Sequence, residues 1–129
     1  MKRFFEVTFR PFFVLTGVGT SLAGLYALWP RWAVETLGKL TFRQDYTVFV
    51  QHWGVMVGLM GLFMIVAAFN VKWRKPILVY SLVEKSFMVF LVAMNLRQTY
   101  AQGLKAPAAM DAAVVLYTIL YFGVLGLRE

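Results

Sequence analysis

Four stretches of this chain are each long and apolar enough to cross a lipid bilayer, and few folds other than a membrane bundle can accommodate them. They run from about Phe12 to Trp29, Thr47 to Phe69, Ile77 to Leu96 and Ala108 to Leu127, each near the ~20 residues a helix needs to traverse the hydrocarbon core. Of the 129 residues, 60% belong to the hydrophobic set and 15% carry charge, against roughly 45–50% and about 25% in an ordinary soluble domain. Small soluble domains bury the least of their surface, so apolar side chains at this density call for a lipid solvent. The expectation is an all-α integral membrane four-helix bundle, a single transmembrane domain over 1–129, with short loops that make successive helices neighbours.

Prolines punctuate the chain. Pro11 is expected to open the first span, where its missing N–H would be unpaired anyway, leaving MKRFFEVTFR along the membrane interface. Pro30 ends that span, Pro76 starts the third and Pro107 precedes the fourth. A basic start followed by an apolar run is also the pattern of a secretory signal. Here the run is long and lacks a small-x-small cleavage site, so it is read as an uncleaved first helix. Between Pro30 and Tyr46, Trp32, Val34, Leu37, Leu40 and Phe42 alternate with Arg31, Glu35, Lys39 and Arg43, a candidate interfacial amphipathic helix after the first span. The polar segment from Arg97 to Pro107 is expected to turn in water.

Lys2, Arg3, Arg10, Lys72, Arg74, Lys75 and Arg128 fall at one end of the spans, and Arg31, Lys39, Arg43, Arg97 and Lys105 at the other, seven cations against five. The positive-inside rule then places both termini in the cytoplasm. A net charge of +7, spread over span ends and forming no single stripe, fits anionic lipid headgroups and not nucleic acid. Trp29, Trp32, Tyr46 and Tyr100 are expected to anchor one interface, and Trp73 with the Phe4, Phe5 pair the other.

Small residues mark the seams between helices. Gly54 and Gly58 form a GxxxG pattern with Gly61 one turn on, while Gly17 and Ser21, and Thr16, Thr20 and Gly24, recur at four-residue spacing in the first span. Small side chains let backbones approach closely where lipid is the solvent. The pattern suits packing within the chain or a homo-oligomer interface. Gly123 and Gly126 extend it to the fourth span.

Glu84 and Lys85 stand side by side in the third apolar run. A charge at such depth costs at least ~2.5 kcal/mol on insertion scales, so it is expected to face a cavity, a partner or the bundle interior. Counting inward by the helical rise puts Glu84 level with Thr20, Gly61 and Thr118; the two threonine hydroxyls would serve the carboxylate as partners in a ligand-binding layer, and Gly61 would leave space for it or for a ligand. Lys85 projects about 100° away and is expected to snorkel to the cytoplasmic interface. His52, the sole histidine, is a candidate haem or copper ligand. Met56, Met60 and Met64 offer soft donors but also fit ordinary packing. Cysteine is absent, so no disulfide or thiolate site can form.

No GxxxxGK[ST], GxSxG or HExxH pattern is present, so nothing supports nucleotide hydrolysis or standard hydrolytic catalysis by the chain alone. With its four short-looped spans, Pro30-Arg31-Trp32 after the first and Glu84-Lys85 in the third, the chain resembles the DoxX-like group of small bacterial membrane proteins. That resemblance implies a four-helix bundle, some members of the group being membrane subunits of quinone-linked oxidoreductases. Phe9-Arg10-Pro11-Phe12-Phe13, followed by His52 at the start of a Gly-rich span, also resembles the opening of the NnrS family of haem- and copper-containing membrane proteins. The expected function is a non-catalytic inner-membrane subunit or binding bundle in which Glu84, with Thr20, Thr118 and Lys85, holds a lipid-like or quinone-like molecule. The alternatives are a proton-coupled or ion-conducting homo-oligomer using Glu84, assembled through Gly54 and Gly58, and a haem or copper redox protein using His52.

Overall fold

Proline punctuation does not set where the first and third helices begin. In the computed structural model, which describes residues 1–126, α1 (Lys2–Ser21) is continued by a 3-10 turn, Leu22–Gly24, and a short helix, Leu25–Leu28. After it come α2 (Thr47–Phe69), α3 (Val71–Met94) and α4 (Lys105–Leu125). No strand occurs among the described residues, and all four helices are long and apolar enough to cross a membrane. Leu127, the expected end of the fourth span, and Arg128 lie outside the described residues.

The second helix keeps the expected bounds, but the first, third and fourth start earlier. Pro11 lies inside α1, so MKRFFEVTFR is helix and not an interfacial prelude. Phe5, Phe9 and Phe13, at four-residue spacing, are buried on its inner face. Burying one such ring contributes ~1.5–3 kcal/mol, so three of them outweigh the ~3 kcal/mol cost of an internal proline. Phe5 is therefore core and not an interfacial anchor, whereas Phe4 beside it is exposed. Pro76 likewise lies inside α3, which begins at Val71 because Asn70 caps it, its Oδ1 accepting from Lys72 N at 3.1 Å. Pro107 falls in the first turn of α4, where no intrahelical donor is lost.

α1 packs most extensively on α2 and α3 on α4, with α2 also meeting α3. The α1–α2 seam is glycine-lined. A methyl group on Gly17 would come within 2.8 Å of the Gly61 carbonyl, and one on Gly54 within 2.8 Å of the Ala27 amide. Gly58 lies against Gly24, and a methyl on Gly61 would collide with the Ser21 amide. The end of α1 and its continuation through Leu28 thus cover Gly54 and Gly58 within the chain. Gly123 and Gly126 have nothing within reach of an added methyl. Nearer the start of α1, Phe5, Phe9 and Phe13 join Met64, Tyr117 and Tyr121 in the core.

The loops at the Trp29 end form a cap. Instead of one amphipathic helix to Tyr46, Pro30–Trp32 and a wider π-type turn, Ala33–Leu37, stop at Gly38. There Lys39 takes a left-handed φ of 54°, strained for a residue with a side chain. Arg31 and Glu35 pair at 3.4 Å on the exposed side while Ala33 and Val34 are buried. The segment expected to turn in water is instead a 3-10 helix, Thr99–Leu104, with Ala101 buried. Its Gly103 rests directly on the Gly38 backbone, an approach that any side chain at 103 would block.

Candidate functional site

Three inward stripes converge where α1, α3 and α4 meet. On α3 the buried positions Leu78, Ser81 and Lys85 recur at three- and four-residue spacing, and on α4 Ala108, Asp111 and Val114 recur every third residue. α1 contributes Thr16 and Thr20. The Lys85 ammonium donates to Asp111 Oδ1 at 2.7 Å and to Thr20 Oγ1 at 3.0 Å. The Lys85 and Asp111 side chains are only 1% and 9% exposed, so this is a desolvated, charge-assisted pair.

Lys85 therefore does not snorkel. It lies fourteen residues beyond the true start of α3 at Val71, ~20 Å along the axis, too far for its stem to reach that end of the bundle. Asp111 supplies the counter-charge that makes an interior position tolerable. Sequence reasoning missed Asp111, since it stands close to the expected start of the fourth span and reads as a boundary residue. The available signal was its place at every-third spacing between Ala108 and Val114.

Glu84 is half-buried beside the pair, and its Oε2 is buried with no hydrogen-bond partner. Its expected hydroxyls serve other ends: Thr20 is bonded to Lys85. Thr118, two turns beyond Asp111 on α4, is buried with its own hydroxyl unpartnered. The layer around Glu84 is thus Lys85, Asp111 and Thr20, without Thr118. The depth count placed Thr118 there because it started α3 too late.

Glu84, Asp111 and Thr20 form the polar side of a cavity of about 440 Å³ whose other walls include Tyr26, Trp53 and Met110. Lys39, Gln102 and Gly103 of the loop cap line its outer end. Glu84 also lines a groove of about 490 Å³ between α2 and α3, walled by Met56, Tyr80, Phe87 and Leu91. It is therefore the carboxylate common to an interior space and an outward apolar groove. With one cation and two carboxylates in the cluster, pairing Lys85 to Asp111 leaves Glu84 as the acceptor in need of a donor.

His52 is exposed on the outer side of α2. No group of three or more His, Cys, Asp or Glu side chains gathers around it or elsewhere among the described residues. Met60 and Met64 are buried core residues and Met56 is exposed, so the three do not converge as ligands. Set against protein-family models, curated proteins and solved structures, the chain matches none.

Proposed function

We propose that this chain is an integral protein of the bacterial inner membrane, with both termini cytoplasmic, that binds a small amphiphile between its helices, alone or as the membrane subunit of a larger complex. The four spanning-length helices and the seven-to-five division of cations between the two ends support the membrane placement and its orientation. The observation that carries the binding reading is the buried, unpartnered Oε2 of Glu84 at the wall of the 440 Å³ cavity. A buried acceptor without a donor costs ~1–3 kcal/mol, and a ligand that brings a hydroxyl or ammonium group removes that cost. The suitable class is a lipid-like or quinol-like molecule, its polar head at Glu84 and its tail along the groove past Phe87 and Leu91.

Native mass spectrometry of the protein released from micelles tests this. The wild type should retain a small molecule that Glu84→Ala loses; identical adducts on both proteins would defeat the reading.

A second reading is favoured by the same cluster: the unpartnered Glu84 beside the bonded Lys85–Asp111 pair is the kind of interior carboxylate that a proton-coupled carrier uses. Proton-coupled carriage would give pH-dependent flux in proteoliposomes that Glu84→Gln abolishes. Unchanged flux in that variant would eliminate this mechanism while leaving the binding reading to the mass measurement.

A further inference from the structure

The opposite end of the bundle carries a second space, of about 510 Å³, whose rim is basic. α1 contributes Lys2, Glu6 and Arg10, and α3 contributes Arg74 and Lys75, four cations around one carboxylate. None of these five side chains forms a salt bridge among the described residues. We propose that this cavity binds the phosphate group of an anionic amphiphile or of a soluble phosphate ester, a site separate from the one at Glu84.

Two of the cations are held in place. Arg74 donates from Nε to the Ala67 carbonyl at 2.9 Å and from Nη2 to the Ala68 carbonyl at 3.3 Å, and its guanidinium lies 4.0 Å from the centre of the Phe9 ring. It satisfies the carbonyls left open at the end of α2 yet keeps its full charge. Arg10 sits 5.0 Å over the Phe69 ring. Stacking on aromatic faces fixes a guanidinium's plane before any ligand arrives, so less ordering is lost on binding. Lys2 and Lys75 add mobile point charges at the rim.

The helix ends at this side are mixed: the start of α3 at Val71 lines the cavity, but so do Ala68 and Leu125 at the C-terminal ends of α2 and α4, so the positive field comes from the side-chain cations. The inner wall is apolar, through Leu78, Phe122 and Leu125. A charged mouth above an apolar wall at a helix-bundle end matches a phosphorylated headgroup with its chain running down the protein.

The full chain, released from phosphatidylcholine micelles doped with phosphatidylglycerol, provides the test by native mass spectrometry. Phosphatidylglycerol should be retained in preference to phosphatidylcholine. Arg10→Gln with Lys75→Gln should weaken retention by about thirtyfold, roughly fivefold per charge. Arg3→Gln with Lys72→Gln removes the same charge from the same end but outside the cavity, and should leave retention near wild type. Equal loss in both pairs, or no lipid preference in the wild type together with no binding of inorganic phosphate, overturns the site. If inorganic phosphate or glycerol 3-phosphate binds in pure detergent and displaces the lipid, the site stands with a soluble ester as its ligand. Lys75→Gln alone serves if the double variant unfolds by circular dichroism. Since Glu84→Ala leaves this cavity intact, the two sites fail or hold independently.

Discussion

Replacing Lys85 by methionine keeps a long side chain on α3 but leaves Asp111 without its 2.7 Å donor and Thr20 without its 3.0 Å one. Breaking a buried ion pair from one side costs ~3–5 kcal/mol because the remaining charge is stranded. Asp111 has one escape, which is to take up a proton. From an ordinary carboxylate value of ~3.9, neutralisation at pH 7 costs about 4 kcal/mol at 1.36 kcal/mol per unit, and that bounds the loss. Lys85→Met should therefore destabilise the protein by ~3–4 kcal/mol. Lys85→Met combined with Asp111→Leu removes both charges and should return to within ~1 kcal/mol of wild type, since apolar replacement of a whole buried pair is often neutral or better. Equilibrium unfolding of wild type, both single variants and the double variant by dodecyl sulfate in mixed micelles, followed by far-ultraviolet circular dichroism, completes the cycle. A Lys85→Met variant within ~1 kcal/mol of wild type, or a double variant as unstable as the sum of the singles, would refute the pairing argument.

The α1–α2 seam makes a sharper local forecast: Gly61→Ala should cost ~1–3 kcal/mol by overpacking against the Ser21 and Gly17 backbone. Gly123→Ala, with open space around it, should be neutral or up to ~1 kcal/mol stabilising, both read by the same titration. Phe5→Ala should cost ~3–5 kcal/mol by leaving a core void, whereas Phe4→Ala, at a position 55% exposed, should cost much less; similar melting temperatures for the two would restore the interfacial reading of that pair. Gly103→Val should lift the Thr99–Leu104 turn off Gly38. Because the chain has no cysteine, a single Met110→Cys probe in the cavity wall can report this as faster labelling by a water-soluble maleimide, and an unchanged rate would show that the cap does not limit access.

The number of helices was legible because apolar runs of spanning length have few other uses, and α2 keeps the expected Thr47 and Phe69 bounds since hydropathy falls away at both ends. The starts of α1 and α3 were not legible. Proline at a helix start is a local preference, and buried phenylalanines on α1 and an asparagine cap before α3 outweigh it. That single error moved every depth along α3. It put Thr118 beside Glu84 and gave Lys85 a nearby interface, when the side chain at the right level on α4 is Asp111. The glycine stripes were visible in the sequence, but which helix covers them depends on how the four stripes assemble. Pairing across helices α3 and α4 is likewise a property of their register, which no single-helix pattern contains.

The two cavities bear on how the interior works. No described residue lines both, and between them Phe13, Met64 and Val114 pack with no exposed surface. The hydroxyls of Ser81 and Thr118 are buried there without partners, isolated polar groups and not steps of a connected chain. An ion crossing this layer would give up its hydration among aromatic and aliphatic side chains, a cost of many kcal/mol without compensating ligands. Through-conduction therefore requires the packed layer to open, whereas occupation of either cavity requires no such rearrangement. The Glu84 cavity also adjoins the outward groove between α2 and α3, so an amphiphile can approach its carboxylate from the apolar side without crossing the layer. This arrangement supports two separate binding sites, one acceptor-rich and one basic, over a single pathway joining the two ends.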